Sequence, residues 1–372
     1  MDVGRIDDLL AAVLRGDAPA WPWPSGGDEG VLGRVRYHGV AALLAERLRG
    51  GTDWPPALVR AVRDVARHAA MWELRHQQVV AELLAVLAGR GIRPLLMKGT
   101  ALAYDLYANP VWRLRADTDL LVAGGDLGGT RDVLLGLGFA RDLAAGVEVV
   151  TQQEGWTLLA GDGSRHAIDL HRRVASGALD LFTYPELAGA SRALPRLGAG
   201  AFGLGPVHAL LLACLHRAKH AHSPYYSEGV GHLGGDRLVW LSDIHLLTAV
   251  LEDEDWQAFT SEARAKGLAA VCSDGLAAAA GRFGTVIPPA VSAALAAAGP
   301  AEPVAAYLGA GRLRTLALDL AAVEGTADRL RYLRELCLPP AGYMQAKYAA
   351  ARFTWLPWLY ARRAVEGVRK RL

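Results

Sequence analysis

Cysteine is scarce in this 372-residue sequence. Cys214, Cys272 and Cys337 are isolated, odd in number and without CxxC spacing, which argues against a disulfide framework or a structural zinc ribbon and for a reducing compartment. Long apolar runs are also missing. No uninterrupted stretch reaches the roughly 18 residues that a membrane span needs. The opening MDVGRIDDLLAAVLRGD carries acids where a secretory leader needs a basic stretch, so a soluble, cytoplasmic protein without a transmembrane segment is expected. Nor is one sign of charge in excess: 40 basic residues face 38 acidic ones, a formal charge of +2. That balance leaves no general footprint for nucleic acid, and a polyanion would have to meet a local patch. Hydrophobic residues at 52% and charged ones at 21% exclude a disordered or fibrous chain.

The length allows two or three domains of about 100 to 200 residues each. Up to residue 90 apolar residues recur at helical spacing, as in RYHGVAALLAERLRG and HQQVVAELLAVLAGRG, separated by turn-rich APAWPWPSGGDEG and GGTDWPPA. This reads as a helical lobe. Over 91–204 the pattern interleaves strands and helices: strand IRPLLM, a glycine turn into helix KGTALAYDLY, strand TDLLV, helix GGTRDVLLGLGF, then GVEVVTQQEGWTLLA and HAIDLHRRV joined by GDGS. Over 205–372 helices return, including an alanine-rich stretch from Leu268 to Ala298. The expected class is α+β, a mixed sheet flanked by helical regions at both ends.

The chemistry concentrates in RADTDLLV, where Asp117 and Asp119 precede a buried strand. Strand side chains alternate faces, so the two carboxylates project from one side and Thr118 from the other. Like charges that close repel unless a cation lies between them, and the hard oxygen donors suit Mg²⁺ or Mn²⁺. Asp169, flanked by Ile168 and Leu170, would join them if its strand pairs beside the first. In LLMKGTALAY, Lys98, Gly99 and Thr100 sit between strand and helix, where glycine permits close approach and a helix N-terminus offers unpaired N–H groups. That is a seat for phosphate, with Lys98, Arg113 and Arg115 available to offset charge. The plainer alternatives are a solvated strand-end Lys98, a loop-fixing ion pair for Arg113 and a solvated Arg115, the last being the preferred reading.

LLMKGTALAYDLYANPVWRLRADTDLLV followed by IDLHRRV resembles the nucleotidyltransferase superfamily, and within it a bacterial group of uncharacterised nucleotidyltransferases. The shared features are the Lys98-Gly99 turn, Arg113 four residues before the first acid, the Asp117-x-Asp119 strand and Asp169-Leu170-His171. HRAKH (His216 to His220) and RLVWLSDI (Arg237 to Ile244) match more loosely. Thr118 stands where an apolar residue is usual, which would loosen strand packing, and Ala116 where glycine is frequent. The resemblance implies metal-dependent transfer of a nucleoside monophosphate from an NTP, with ATP the favoured donor, to a hydroxyl or phosphate of a small-molecule, peptide or protein acceptor. Nucleic acid is a less favoured acceptor. Asp117, Asp119 and Asp169 would be the catalytic metal ligands.

Six of the eleven histidines fall between His208 and His245. His216 and His220 share a helical face with Lys219 alongside. The reading carried forward gives Lys219 or His220 to the triphosphate and makes Asp243 their orienting group, against ordinary helix packing. A zinc enzyme built on His216 and His220 is one alternative, and a non-catalytic NTP-binding scaffold another. SPYYSEGVGHLGGD, 223–236, is either a lid or a plain surface loop. In RFTWLPWLYARRAVEGVRKRL, basic and aromatic residues could make a peripheral membrane or acidic-partner contact, but a terminal helix packing its aromatics on the body is preferred.

Overall fold

Proline and glycine set many of the boundaries seen in the computed structural model, which describes residues 2–23, 26–142, 153–175, 177–222, 225–227, 230–232, 235–299, 301–348 and 355–369. Four helices come first: α1 (Val3–Arg15), α2 (Asp28–His38), α3 (Ala41–Arg47) and α4 (Pro56–Gly89). Asp2 caps α1 by accepting from the Gly4 N–H, and Gly16 closes it at a φ of 103°. Pro56 opens α4, where a missing N–H costs nothing. At about 1.5 Å per residue this 34-residue helix runs roughly 50 Å, long enough to serve two cores.

The sheet follows. Strands β1 (Leu95–Met97), β2 (Asp117–Leu121), β3 (Ala140–Arg141), β4 (Gln153–Leu159), β5 (Arg165–His171), β6 (Arg192–Ala193) and β7 (Phe202–Gly203) form one mixed sheet in the order β3-β4-β5-β2-β1-β7-β6. β2 runs antiparallel to β1 and parallel to β5. Helix α5 (Lys98–Asp105) leaves β1 directly, and α6 (Leu127–Gly136) follows β2. The GDGS turn joins β4 to β5 as expected, while the start of the GVEVVTQ stretch lies outside the described residues.

Period-two alternation divides the sheet into two faces. Leu96, Leu120, Ile168 and Leu170 pack with Val80, Leu83, Leu84 and Leu87 of α4. Leu95, Met97 and Leu121 pack on the other face with Leu211, Leu212 and Leu215 of α8 (Pro206–His222). The odd-numbered acids of β2 therefore look toward the C-terminal helices, and Thr118 looks toward α4.

After α7 (Tyr184–Gly189) and α8, a hairpin of β8 (Tyr225–Ser227) and β9 (Val230–His232) precedes α9 (Leu238–Thr248), α10 (Asp253–Ala265), α11 (Ala269–Phe283) and α12 (Pro289–Ala296). The 223–236 stretch lies partly outside the described residues, so its role as a lid is left with them. The chain continues through α13 (Pro303–Leu308), α14 (Arg312–Ala322), α15 (Thr326–Cys337), α16 (Ala341–Lys347) and α17 (Leu356–Arg369).

The cores cross the divisions expected at residues 90 and 204. Leu58 and Val62 of α4 pack with α1 to α3 while its second half backs the sheet, and Leu238 to Leu241 of α9 complete the N-terminal core. At the C-terminal end, Leu359 packs on Met344 and Tyr348, and the Tyr360 hydroxyl donates to the Pro339 carbonyl. Trp355, just before α17, is 71% exposed, whereas Tyr360 of the helix packs against this cluster. Among the described residues no helix is long and apolar enough to cross a membrane.

Candidate active site

Strand register builds the centre of the site. In the parallel β2–β5 pair Asp119 stands opposite Asp169 and Leu121 opposite His171. Alternation then puts Asp117, Asp119, Asp169 and His171 on one face. The donor atoms of Asp119, Asp169 and His171 lie within 4.8 Å of one another. Asp117 is exposed on the same face and stands outside that tight set. Three polar side chains hold the carboxylates: the Lys98 ammonium at 2.5 Å and His171 Nε2 at 2.9 Å meet Asp119, and Gln153 Nε2 donates to Asp169 at 2.5 Å.

Lys98 opens α5 directly after β1 with a φ of 50°, in the left-handed region where residues other than glycine are strained. Gly99, the residue expected to supply conformational freedom, does not take a positive φ. A Cβ there would make only ordinary contact with Arg115 at 3.4 Å, so packing within the chain does not demand glycine at this position.

The electrostatics are those of an anionic centre partly removed from water. Burial pushes the Asp169 carboxyl up to about 7, and the charges of Asp117 and Asp119 add to it. Asp117 keeps solvent contact, yet desolvation by the cleft and then the Asp119 charge raise it as well. Burial also works to raise Asp119, but Lys98 and His171 outweigh it and hold that carboxyl well below the usual range. For Lys98 burial favours the neutral amine, and the three aspartates reverse the sign, holding its pKa above the ordinary lysine value.

Two carboxylates and an imidazole are a donor set suited to a divalent cation, and the crowding that raises Asp169 is what a cation would relieve. The residues present fit a metal. The ammonium of Lys98 neutralises Asp119 in the meantime.

Behind the strand the neighbours are internal. Thr118, buried, meets His76 Nε2 at 2.8 Å and the Thr100 hydroxyl at 2.8 Å, so it braces β2 against α4 and α5 rather than loosening the packing. Thr100 also accepts from Arg115 Nε at 2.8 Å. Its hydroxyl thus belongs to this network, not to the phosphate seat anticipated for it. Arg115, expected in solvent, has a side chain only 3% exposed and paired with Glu73 at 2.7 Å. Its guanidinium draws that carboxylate and the Tyr104 hydroxyl into one cluster.

Arg113 resolves toward the ion-pair alternative. Its guanidinium grips Asp243 of α9, with Nε at 2.8 and 2.9 Å from the two carboxylate oxygens. Tyr107 donates to the same carboxylate at 2.8 Å. Asp243 therefore orients Arg113, and not Lys219 or His220.

Lys219 reaches solvent from the cavity lining, yet desolvation by the surrounding walls, followed by the Lys98 charge, lowers its pKa. His220 stacks on Trp240 at 5.2 Å and is pushed down to about 4 by burial and Lys219. His216 meets Trp240 edge-on at 5.3 Å, and burial, with the Lys98 charge adding, holds its pKa well below the usual histidine value. Among the described residues these two histidines join no group of three metal-ligating side chains. Glu186, His208 and Glu262 do cluster, but the Lys266 ammonium already pairs with Glu186 at 2.7 Å.

A cavity of about 520 Å³ opens beside the acids, lined by their partners Lys98, Gln153 and His171. Lys98, Gln153, His171, His216 and Lys219 form its polar end, and leucines from α8, α14 and α15 form the far end. His171 and Gln153 were not singled out as site residues in the sequence. His171 had a signal, since it lies two residues beyond Asp169 and so on the same strand face; Gln153 had none, because its partner strand is set only by tertiary pairing.

The sequence matches the family model described as uncharacterised nucleotidyltransferase over residues 27–284, more than half of the chain. The matched span includes every aspartate of the site and α8. No curated protein matches the chain.

Proposed function

Since the chain belongs to the uncharacterised nucleotidyltransferase family, we propose that it moves a nucleoside monophosphate from an NTP, with ATP the favoured donor, to a hydroxyl or phosphate on a small molecule, peptide or protein, releasing pyrophosphate. The observation that carries this reading is the parallel register that sets Asp169 against Asp119, two residues from Asp117 and on one face. Such a carboxylate group beside two lysines matches what a metal–triphosphate needs.

Asp117, Asp119 and Asp169 would hold Mg²⁺ or Mn²⁺, with His171 beside them as a further donor or as the group that fixes Asp119. A metal held there would supply charge to polarise the α-phosphate and to offset the leaving pyrophosphate. The protein's own groups do the rest. Lys98 and Lys219 at the polar end of the cavity offset triphosphate charge. The main chain at Gly99, free of a Cβ, lets phosphate oxygens approach the start of α5. Asp169 is also the group that would take the acceptor proton. Arg113 and Asp243 hold β2 and α9 together without touching the nucleotide.

Calorimetric titration of Mg²⁺ with each NTP tests the reading. Saturable binding by the wild type that disappears in Asp117→Ala and Asp119→Ala is expected. No binding by the wild type, or binding unmoved by both substitutions, counts against it.

A further inference from the structure

The far end of the cavity carries a second kind of information. Leu179, Leu212, Leu215, Leu313, Leu316 and Leu336 line it, an aliphatic surface continuous with the polar end where Lys98, His171 and Lys219 stand. Two of the polar side chains at this end are spent on the chain itself. Tyr307 donates to Asp319 at 2.6 Å, and the same carboxylate accepts the Ala178 N–H at 2.9 Å. Asp319 thereby ties α14 to the segment that follows β5. A nucleobase displays several donors and acceptors, and selecting one takes convergent polar partners. Leucine methyls supply none, Thr315 spends its hydroxyl on the Ala310 carbonyl, and Tyr332 adds one hydroxyl to this end.

The walls come from both sides of the matched span, Leu179, Leu212 and Leu215 lying inside it. Leu313, Leu316 and Leu336 come from α14 and α15, beyond residue 284 where the family match ends. The catalytic aspartates lie inside the match.

We infer that the acceptor is an amphipathic small molecule, with an alkyl or aryl body seated among these leucines and an oxygen nucleophile presented at the polar end. This rests on the transferase reading above and gives its acceptor a chemical class. In the transfer, the acceptor's hydroxyl or phosphate oxygen forms a bond to the α-phosphorus while the bond from that phosphorus to the α–β bridging oxygen breaks. Pyrophosphate leaves with the electron pair, and the proton of a hydroxyl acceptor passes to Asp169. No redox partner is needed.

The full-length protein can be titrated with 1-anilinonaphthalene-8-sulfonate, whose aryl body and anionic head fit this description, and the dye then competed with decyl phosphate or with Mg²⁺–ATP. Leu316→Gln and Leu313→Lys are the variants; Leu313 is 71% exposed, so its replacement spares the core. The expected result is saturable dye binding, weakened about fivefold or more by Leu316→Gln, displaced by decyl phosphate and retained with saturating Mg²⁺–ATP. Competitive displacement by Mg²⁺–ATP would mean that the nucleobase occupies the leucines and would overturn the inference. So would an absence of saturable dye binding, or binding that neither variant changes. Nucleotide titration of the same samples separates the two levels: a wild type that binds no nucleotide removes the transferase reading, whereas the dye and decyl phosphate data decide the amphipathic site.

Discussion

Arg113 and Asp243 form a buried two-pronged ion pair between the loop before β2 and helix α9, with N–O distances of 2.7 to 2.9 Å and side chains 7% and 4% exposed. The planar guanidinium fork matches a carboxylate in a way an ammonium does not. Because α9 also contributes Trp240, against which His216 and His220 pack, the pair holds one wall of the site to the strand that carries its acids.

Removing one partner leaves the other charge buried and unpaired, which costs about 3–5 kcal/mol. Arg113→Ala and Asp243→Ala should each lower stability by that order in urea unfolding. The apolar pair Arg113→Met with Asp243→Leu should recover much of the loss. Arg113→Lys should rescue little. A large loss of Mg²⁺–NTP affinity in Arg113→Lys at unchanged stability would return Arg113 to the phosphate-binding role that its position in the sequence suggested.

Asp169 is expected to trade stability for function. Its carboxyl, raised to about 7, is ionised at pH 8 against two neighbouring carboxylates. Asp169→Asn removes that repulsion while keeping an oxygen for the Gln153 amide. Without divalent ions at pH 8 the variant should unfold about 1 kcal/mol or more later than the wild type, while Mg²⁺–NTP affinity falls at least about tenfold. Thermal unfolding and calorimetry on the same samples check both halves. A variant that is both less stable and fully competent to bind would contradict the placement.

Much of this site was legible because strands obey a two-residue period. That rule alone assigned Asp117 and Asp119 to one face and Thr118 to the other, and the charge–apolar boundary in RADTDLLV marked where the sheet enters the core. Register was the missing quantity. The pairing of Asp119 with Asp169 requires β5 to lie beside β2, which depends on contacts about fifty residues apart in the chain. Arg115 and Thr100 were misjudged for a related reason: each is satisfied by a residue on another element, Glu73 of α4 and Thr118 of β2, and local spacing carries no trace of those partners. The leucines of α14 and α15 likewise read as ordinary helix until folding set them before the acids.

Thr118 and His76 give a prediction for the rear of the strand. Thr118→Val deletes the partner of His76 Nε2 inside the core and should cost about 1–3 kcal/mol. Burial, with Arg115 and His166 adding, keeps the His76 pKa well below 6.5. A histidine depressed in the folded state binds protons more readily when unfolded, so its contribution to stability is whole above about pH 6.5 and is lost as the pH falls below it. His76→Gln should therefore flatten the acid side of the stability profile between about pH 6.5 and 5. An unchanged slope would exclude His76 as a source of that acid sensitivity.

Metal affinity should show a pH dependence set by the acids themselves. With no metal bound, Asp169 titrates near 7 and Asp117 is also raised, so below neutrality protons occupy oxygens that a divalent ion needs. Binding must then expel them. Mg²⁺ affinity should be level above about pH 8 and fall by up to about tenfold per pH unit for each proton displaced below pH 7. Calorimetry at pH 6.5 in buffers of different ionisation enthalpy should read a net proton release that vanishes at pH 8.5. Asp169→Asn, weaker throughout, should lose most of the slope because its amide has no proton to expel. If the wild type binds Mg²⁺ equally at pH 6 and pH 8, Asp169 is not a metal ligand, and its raised carboxyl serves only to manage charge between β2 and β5.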